Sequence, residues 1–226
     1  MEGFVGPITS VRNLCIAGGL SGITGVLMIG SSFAINTGPP LDATSAQMID
    51  FGATHFRQVM WGAWLQAVGP QLIMVFALIL VHLSRATQRL SGWLTLLGAS
   101  VLMMVSLAEV IFYMSALGNT PETIGQTSNA IGHAIQHLYF IVAAPAVFFP
   151  LGVVLNRSKI LPTAFGYLAL VLGVGFFVLG ITSLGAKILS PAVTSFAAIQ
   201  ALWWFGASVA LIARSSRLSA SRDTND

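Results

Sequence analysis

Six long apolar segments alternate with shorter polar connections along the chain. They cover residues 13–35, 58–83, 91–115, 130–155, 162–186 and 192–213. Because an α-helix rises about 1.5 Å per residue, each segment is long enough to cross the roughly 30 Å hydrocarbon core of a bilayer. The pattern predicts an all-α fold, a polytopic membrane bundle of six transmembrane helices. Residues 1–213 form its single domain, and residues 214–226 form a polar and mobile cytoplasmic tail.

The longest polar connection joins the first two apolar segments. Within it, residues 46–56 could form a short helix at the membrane surface, because residues 42–46 offer capping residues and Met48, Ile49 and Phe51 are apolar. Their apolar face is weak, so we expect a partly ordered surface loop. Further along, Gly69-Pro70 falls near the middle of the second segment. Proline removes a backbone hydrogen bond there, which predicts a kinked helix.

The first apolar segment carries Gly18, Gly22 and Gly25 at helical spacing. Such a face of small residues lets another helix approach closely. Ser32-Phe33-Ala34 resembles a signal-peptide cleavage site, but the segment is longer than the apolar core of a usual signal peptide. We therefore expect a retained first helix.

The composition identifies the class of protein. Of the 226 residues, 55% are hydrophobic and 8% are charged, whereas a soluble domain carries about 25% charged residues. The chain therefore has too little polar material for a water-facing surface, and we expect an integral membrane protein whose first partner is the lipid bilayer. The single cysteine, Cys15, leaves no disulfide within the chain.

The basic residues set the expected orientation. With the N-terminus in the cytoplasm, eight of the ten Lys and Arg residues lie on the cytoplasmic side, and only Arg57 and Lys187 lie outside. The positive-inside rule favours this arrangement, which places both termini in the cytoplasm. The basic residues are scattered singly between apolar segments, so we expect no nucleic-acid partner.

The connection between the fourth and fifth segments has a residue pattern that resembles other membrane proteins. It reads Leu155-Asn-Arg157-Ser-Lys159-Ile-Leu-Pro162-Thr-Ala-Phe-Gly166, a short basic stretch followed by proline and small or aromatic residues. With the order of elements over about residues 11–213, it resembles a bacterial family of uncharacterised six-helix integral membrane proteins. The resemblance implies the fold, the orientation and a place in the bacterial inner membrane, and it carries no activity to transfer.

Three side chains in the third and fourth segments could carry chemistry. Glu109 is the only acidic residue within an apolar segment, and His133 and His137 are spaced i,i+4 on one helix face. Ionisable groups at membrane depth commonly mark a functional site. A short loop joins the two segments, so the helices are expected to be antiparallel neighbours, with Glu109 and His137 both roughly 10 Å below the outer boundary.

Two interpretations of these side chains stay open. Two imidazoles and a carboxylate could ligate a metal ion. Alternatively, the same groups could pair with each other and hold two helices together. Haem needs imidazoles on opposite sides of the iron, so a haem site would also need His55 or another ligand. His82 lies at the opposite membrane face and cannot join the cluster.

Further polar residues of the apolar segments could handle a ligand or protons. They are Gln66, Gln71, Tyr113 and Gln136. The three glutamines, together with Glu109 and His137, could line a cavity, and interruptions at Gly69-Pro70, Pro145 and Pro150 are typical of some transporters. The chain has no Gly-x-Ser-x-Gly elbow and no His-Glu-x-x-His motif, so the sequence does not decide whether it is an enzyme.

Among the interpretations left open, we favour a non-enzymatic membrane protein with a polar pocket in the outer half of the bundle. The pocket would bind a small ligand or a membrane partner, such as another membrane-protein subunit or a second copy in a homo-oligomer. The first alternative is a metal- or haem-dependent membrane redox protein that uses Glu109, His133 and His137. The second alternative is a small-solute transporter.

Overall fold

In the computed structural model, the chain is described over residues 10–36, 44–117, 137–183 and 190–223 and at positions 127, 131, 134 and 135. The described part is all-helical. Its α-helices are α1 (Val11–Ile35), α2 (Ser45–Thr54), α3 (Phe56–Leu83), α4 (Leu90–Leu117), α5 (Ala144–Ser158), α6 (Thr163–Ser183), α7 (Ser190–Ala213) and α8 (Ser215–Asp223). A 3₁₀ turn, Ala86–Gln88, precedes α4, and a π-helical turn, Tyr139–Ala143, leads directly into α5.

Six of the described helical segments are long and apolar enough to cross a membrane, which confirms the predicted architecture. They are α1, α3, α4, the π-turn with α5, α6 and α7. Their bounds differ from the predicted ones by a few residues, apart from the fourth segment. The start of that segment falls partly outside the described residues, and its described spanning part begins at Tyr139.

The spanning helices form a closed ring in chain order. α1 packs on α3, α3 on α4, α4 on α5, α5 on α6 and α6 on α7, and α7 returns to α1. The short α2 lies beside the start of α3 and the end of α4, and we call this side of the bundle the α2 end. We call the opposite side, which carries Arg85, Arg89, Lys159 and Arg214, the basic end.

Aromatic side chains from four helices fill the middle of the ring. Phe148 of α5 contacts Phe176 of α6 and both Trp203 and Trp204 of α7, with ring centroids 5.3 to 6.1 Å apart. Trp204 also contacts Phe76 of α3 at 6.0 Å. The π-turn with α5 is the most enclosed spanning segment. Of its most apolar 18 residues 61% are buried, against 28–39% for the corresponding stretches of the other five segments.

Two connecting segments are more ordered than expected. Residues 45–54 form a helix because Thr44 and Gln47 build a capping box. The backbone N–H of Thr44 donates to Gln47 Oε1 at 2.8 Å, and the backbone N–H of Gln47 donates to Thr44 Oγ1 at 3.4 Å. The C-terminal segment, expected to be mobile, is helical over 215–223 and packs against α1.

α3 runs without interruption through Pro70. Gly69 and Pro70 are buried, and Gly69 faces Gly25 of α1 so closely that a Cβ on Gly25 would lie 2.7 Å from the Gly69 carbonyl oxygen. The Gly-Pro pair therefore serves as the crossing point of α1 and α3. The small-residue face predicted for the first helix packs within the bundle, against α3 and α7.

Candidate functional site

The π-helical turn Tyr139–Ala143 gives the fourth spanning segment its shape. Pro145, which follows it, has no N–H to donate to the carbonyl group four residues earlier, and its ring would collide with that carbonyl in a regular α-helix. One turn of wider helix accommodates this change in hydrogen-bond register. Gly180 of α6 packs directly on the turn, because a Cβ there would lie 2.8 Å from the Cα of Ile141. π-turns of this kind are frequent at functional sites.

Tyr139, the first residue of the turn, connects it to α7. Its hydroxyl donates a hydrogen bond to Gln200 Oε1 at 2.7 Å. The Tyr139 ring lies in an aromatic cluster, 5.4 Å from Phe140 and 6.0 Å from Phe176 between centroids. Phe196 of α7 extends the cluster, 5.4 Å from Phe176. The hydrogen bond and the aromatic cluster therefore share Tyr139 and link the π-turn to α6 and α7.

Glu109 of α4 adds a carboxyl group to this arrangement. It is half-buried and lies close enough to Tyr139 to interact with it electrostatically. We call Glu109, Tyr139 and Gln200 the Glu109 site. The site combines a carboxyl, a phenol hydroxyl and a side-chain amide, each from a different part of the fold.

Two neighbours of Glu109 on α4 also make polar contacts with other helices. Ser106 Oγ donates to the carbonyl oxygen of Gln66 on α3 at 3.3 Å, and Tyr113 Oη donates to Asn36 Oδ1 at the end of α1 at 2.8 Å. Residues 106, 109 and 113 follow the i, i+3, i+7 spacing of one helix face. This face of α4 therefore contributes polar contacts to the α2 end in addition to the bond between Tyr139 and Gln200.

The predicted site residues are distributed unevenly. Tyr113 and Glu109 lie on the polar face of α4, and Gln66 is half-buried on α3. Gln71 is exposed on the outside of α3, so its side chain does not point into the bundle as the cavity hypothesis required. His137 is half-buried, two residues before Tyr139. His133 and Gln136 lie outside the described residues, so their predicted roles are untested.

The metal and haem hypotheses stay predictions. The described residues contain no group of three or more His, Cys, Asp or Glu side chains able to hold a metal ion, but His133 of the predicted triad is not among them. His55 lies at the junction of α2 and α3. Its Nδ1 is 3.2 Å from the carbonyl oxygen of Phe51, and its ring stacks on Phe51 with centroids 4.4 Å apart. His82 is exposed toward the basic end, as predicted.

The sequence did not identify three residues of this region: Tyr139, Gln200 and Asn36. Two signals were available. Tyr139 lies in the same stretch as the histidine pair, and Gln200 is the only amide side chain of the last apolar segment. Neither signal shows that the two side chains face each other.

Comparison of the chain with protein-family models, with curated proteins and with solved structures found no match. The helices alone define the class: an integral membrane protein with six candidate membrane-spanning segments. Its chemistry has to be inferred from the side chains that the fold brings together.

Proposed function

We propose that this membrane protein binds a small organic cation, an amine or a quaternary ammonium compound, at the Glu109 site. The observation that carries the proposal is the 2.7 Å hydrogen bond from Tyr139 to Gln200, formed at a π-turn and within electrostatic range of the Glu109 carboxyl. The site lies in the half of the bundle toward the α2 end, which the predicted orientation places outside the cell.

The side-chain chemistry favours a cation. Glu109 is the only acidic residue in the six apolar segments, and a carboxylate at membrane depth is stabilised by a positive partner. The Tyr139 ring packs in one aromatic cluster with Phe140 and Phe176, which Phe196 extends. Aromatic faces attract ammonium groups, and more strongly where water is excluded.

The hydrogen bond between Tyr139 and Gln200 suits a site that exchanges partners. Gln200 Oε1 accepts one bond from Tyr139, and an amide oxygen has two acceptor positions. An N–H group of an amine could use the second position while its charge faces Glu109. A quaternary ammonium compound, which has no N–H, would depend on the carboxylate and the rings alone.

The test measures cation-dependent stabilisation of the full chain in a mild detergent. Thermal unfolding is followed with ethylammonium chloride or tetramethylammonium chloride, against sodium chloride at equal ionic strength. We expect both organic cations to raise the unfolding temperature. Glu109→Gln keeps the shape of the side chain but removes its charge, so apparent affinity should fall at least about tenfold.

Ser100→Ala is the matched control. Ser100 lies on the same helix, and among the described residues its hydroxyl bonds only to the Leu96 carbonyl oxygen, at 3.0 Å. This variant should keep the wild-type response to both cations. A wild-type protein that responds no more to organic cations than to sodium, or a Glu109→Gln variant that responds as the wild type does, would contradict the proposal.

The redox alternative is tested on the same purified sample by an absorption spectrum and elemental analysis. A Soret band, or a stoichiometric metal, that disappears in His137→Ala would replace the cation proposal with a metal- or haem-dependent function.

A further inference from the structure

The outward face of α3 carries a regularly spaced row of side chains, which we call the α3 stripe. It consists of Trp61, Trp64, Val68, Gln71, Val75 and Leu78. All are exposed except Val68, which is half-buried, and the four large apolar residues at its ends are 40–57% exposed. The stripe is therefore the surface that α3 presents outside its own bundle.

The spacing of the stripe alternates between three and four residues along its whole length. An average of 3.5 residues is the repeat with which two helices pack side by side over several turns. Arg57 and His82 continue the same spacing beyond the two ends of the stripe, and both are exposed. At these positions their side chains reach the headgroup level, where polar groups remain solvated.

Gln71 is the one polar residue of the stripe, and it lies at the depth where a polar side chain is most costly. It lies near the middle of α3, about 20 Å from either end at about 1.5 Å per residue, which is the centre of the hydrocarbon layer. Within the described part of the chain, no side chain or backbone group forms a hydrogen bond with the side-chain amide of Gln71. An amide that faces lipid without a partner is costly, so the position indicates a partner outside this chain.

We propose that the protein forms a homodimer in which the α3 stripe packs on the α3 stripe of a second copy. Two copies inserted in the same direction are related by a two-fold axis along the membrane normal, so identical residues meet at equal depth. Gln71 then meets the partner's Gln71. Because a carboxamide both donates and accepts, the two side chains can satisfy each other.

A second copy explains the stripe better than lipid or an unrelated subunit does. Lipid tails offer no hydrogen bond to Gln71, whereas self-pairing needs no residue beyond the one present. The glycine face of α1 is already used inside the bundle, where Gly22 packs on Phe76 and Ser208, and Gly25 packs on Gly69 and Ile73. α3 therefore keeps the regularly spaced face that carries Gln71 for an external contact.

The test is disulfide cross-linking of the full chain in vesicles of phosphatidylethanolamine and phosphatidylglycerol. Val75→Cys places a thiol on the stripe one turn from Gln71. Val171→Cys is the matched control, because Val171 is also an exposed mid-span valine, on α6. The native Cys15 is fully buried. On oxidation, Val75→Cys should give a covalent dimer at a level at least about tenfold above that of Val171→Cys.

Gln71→Leu in the Val75→Cys background removes the amide but keeps the apolar surface. We expect dimerisation about tenfold weaker, while Gln71→Asn should retain most of the cross-linking because it keeps an amide. Equal cross-linking at positions 75 and 171, or unchanged cross-linking in a Gln71→Leu variant that remains folded by circular dichroism, would overturn the proposal. A monomer that cross-links at neither position would mean that lipid or a different protein covers the stripe.

Discussion

From the middle of the membrane to the basic end, neighbouring helices touch through glycines. Gly98 of α4 lies against the carbonyl group of Ala146 on α5, and a Cβ on Gly152 would lie 2.9 Å from the carbonyl oxygen of Gly166 on α6. Toward the α2 end, side chains make the connections: Tyr139 bonds to Gln200, and Tyr113 bonds to Asn36. Close glycine contacts occur in both halves, since Gly180 also packs on the π-turn. The α2 end is distinguished by side chains of different helices that bond directly to each other.

The difference indicates which half can respond to a ligand. A backbone contact across a glycine leaves no space and no alternative partner. A hydrogen bond between two side chains can be exchanged for one to an incoming molecule, because both groups keep further bonding capacity. We therefore interpret the glycine-packed half as the scaffold and the half that contains the Glu109 site as the functional part.

The largest effect is expected at the contact between α4 and α5. In Gly98→Ala, the added methyl group would overlap the Ala146 carbonyl, so the two helices must move apart. We expect a loss of about 3 kcal/mol in the free energy of unfolding, measured in mixed micelles, or loss of folded protein during purification.

Gly30→Ala is the control for this substitution. Nothing lies within 4 Å of a Cβ placed on Gly30 of α1. Because alanine is the better helix former, the variant should gain about 0.5 to 1 kcal/mol. If the two variants show the same change, close packing does not govern the glycine-packed half, and the division fails.

The six spanning helices could be predicted because long apolar segments are sufficient evidence for them. The contacts between helices could not. A lipid-facing side chain is as apolar as a buried one, so the sequence gives little indication of which face of a spanning helix turns inward. Gln71 illustrates the difficulty: a polar residue was expected inside the bundle, and the structure places it outside.

The Glu109 site also shows that the sequence predicts individual residues better than the contacts between them. Glu109 could be selected because an acidic residue in an apolar segment is unusual. Its relation to Tyr139 depends on the π-turn, which changes the direction of the side chains that precede α5. Pro145 predicts a disturbance of the helix, but the sequence does not show that the disturbance is a π-turn at Tyr139–Ala143.

Tyr139→Phe removes the polar contact at the centre of the functional half. The aromatic ring stays, but Gln200 Oε1 loses its 2.7 Å hydrogen bond. We expect the free energy of unfolding to fall by about 1 to 2 kcal/mol, since a group is left without its partner inside the bundle. If stability is unchanged, the hydrogen bond does not hold α7 to the π-turn, and the α2 end would depend on ring packing alone.

Tyr113→Phe should have a smaller effect on the same measurement, about 0.5 kcal/mol. Tyr113 loses an equally short bond, 2.8 Å to Asn36 Oδ1. This contact lies nearer the end of α4, where water can replace the lost partner. A cost as large as that of Tyr139→Phe would show that the end of the bundle is as dry as the Glu109 site, and the polar region would then extend to Asn36.

The smallest effect is expected at the basic end, where backbone geometry again decides stability. Lys159 follows α5 in the left-handed conformation, with φ 55°. Side chains other than glycine adopt this conformation at a cost, which Lys159→Gly removes, although glycine also loses more freedom on folding. The relief of the left-handed conformation and the larger loss of backbone freedom nearly offset each other, so we expect the free energy of unfolding to rise by about 0.5 kcal/mol.

Arg157→Gly, which removes a nearby basic residue from within α5, should instead lower the free energy of unfolding by about 1 kcal/mol. A loss in both variants would mean that the Lys159 side chain itself stabilises the fold, and backbone fit would no longer explain the basic end.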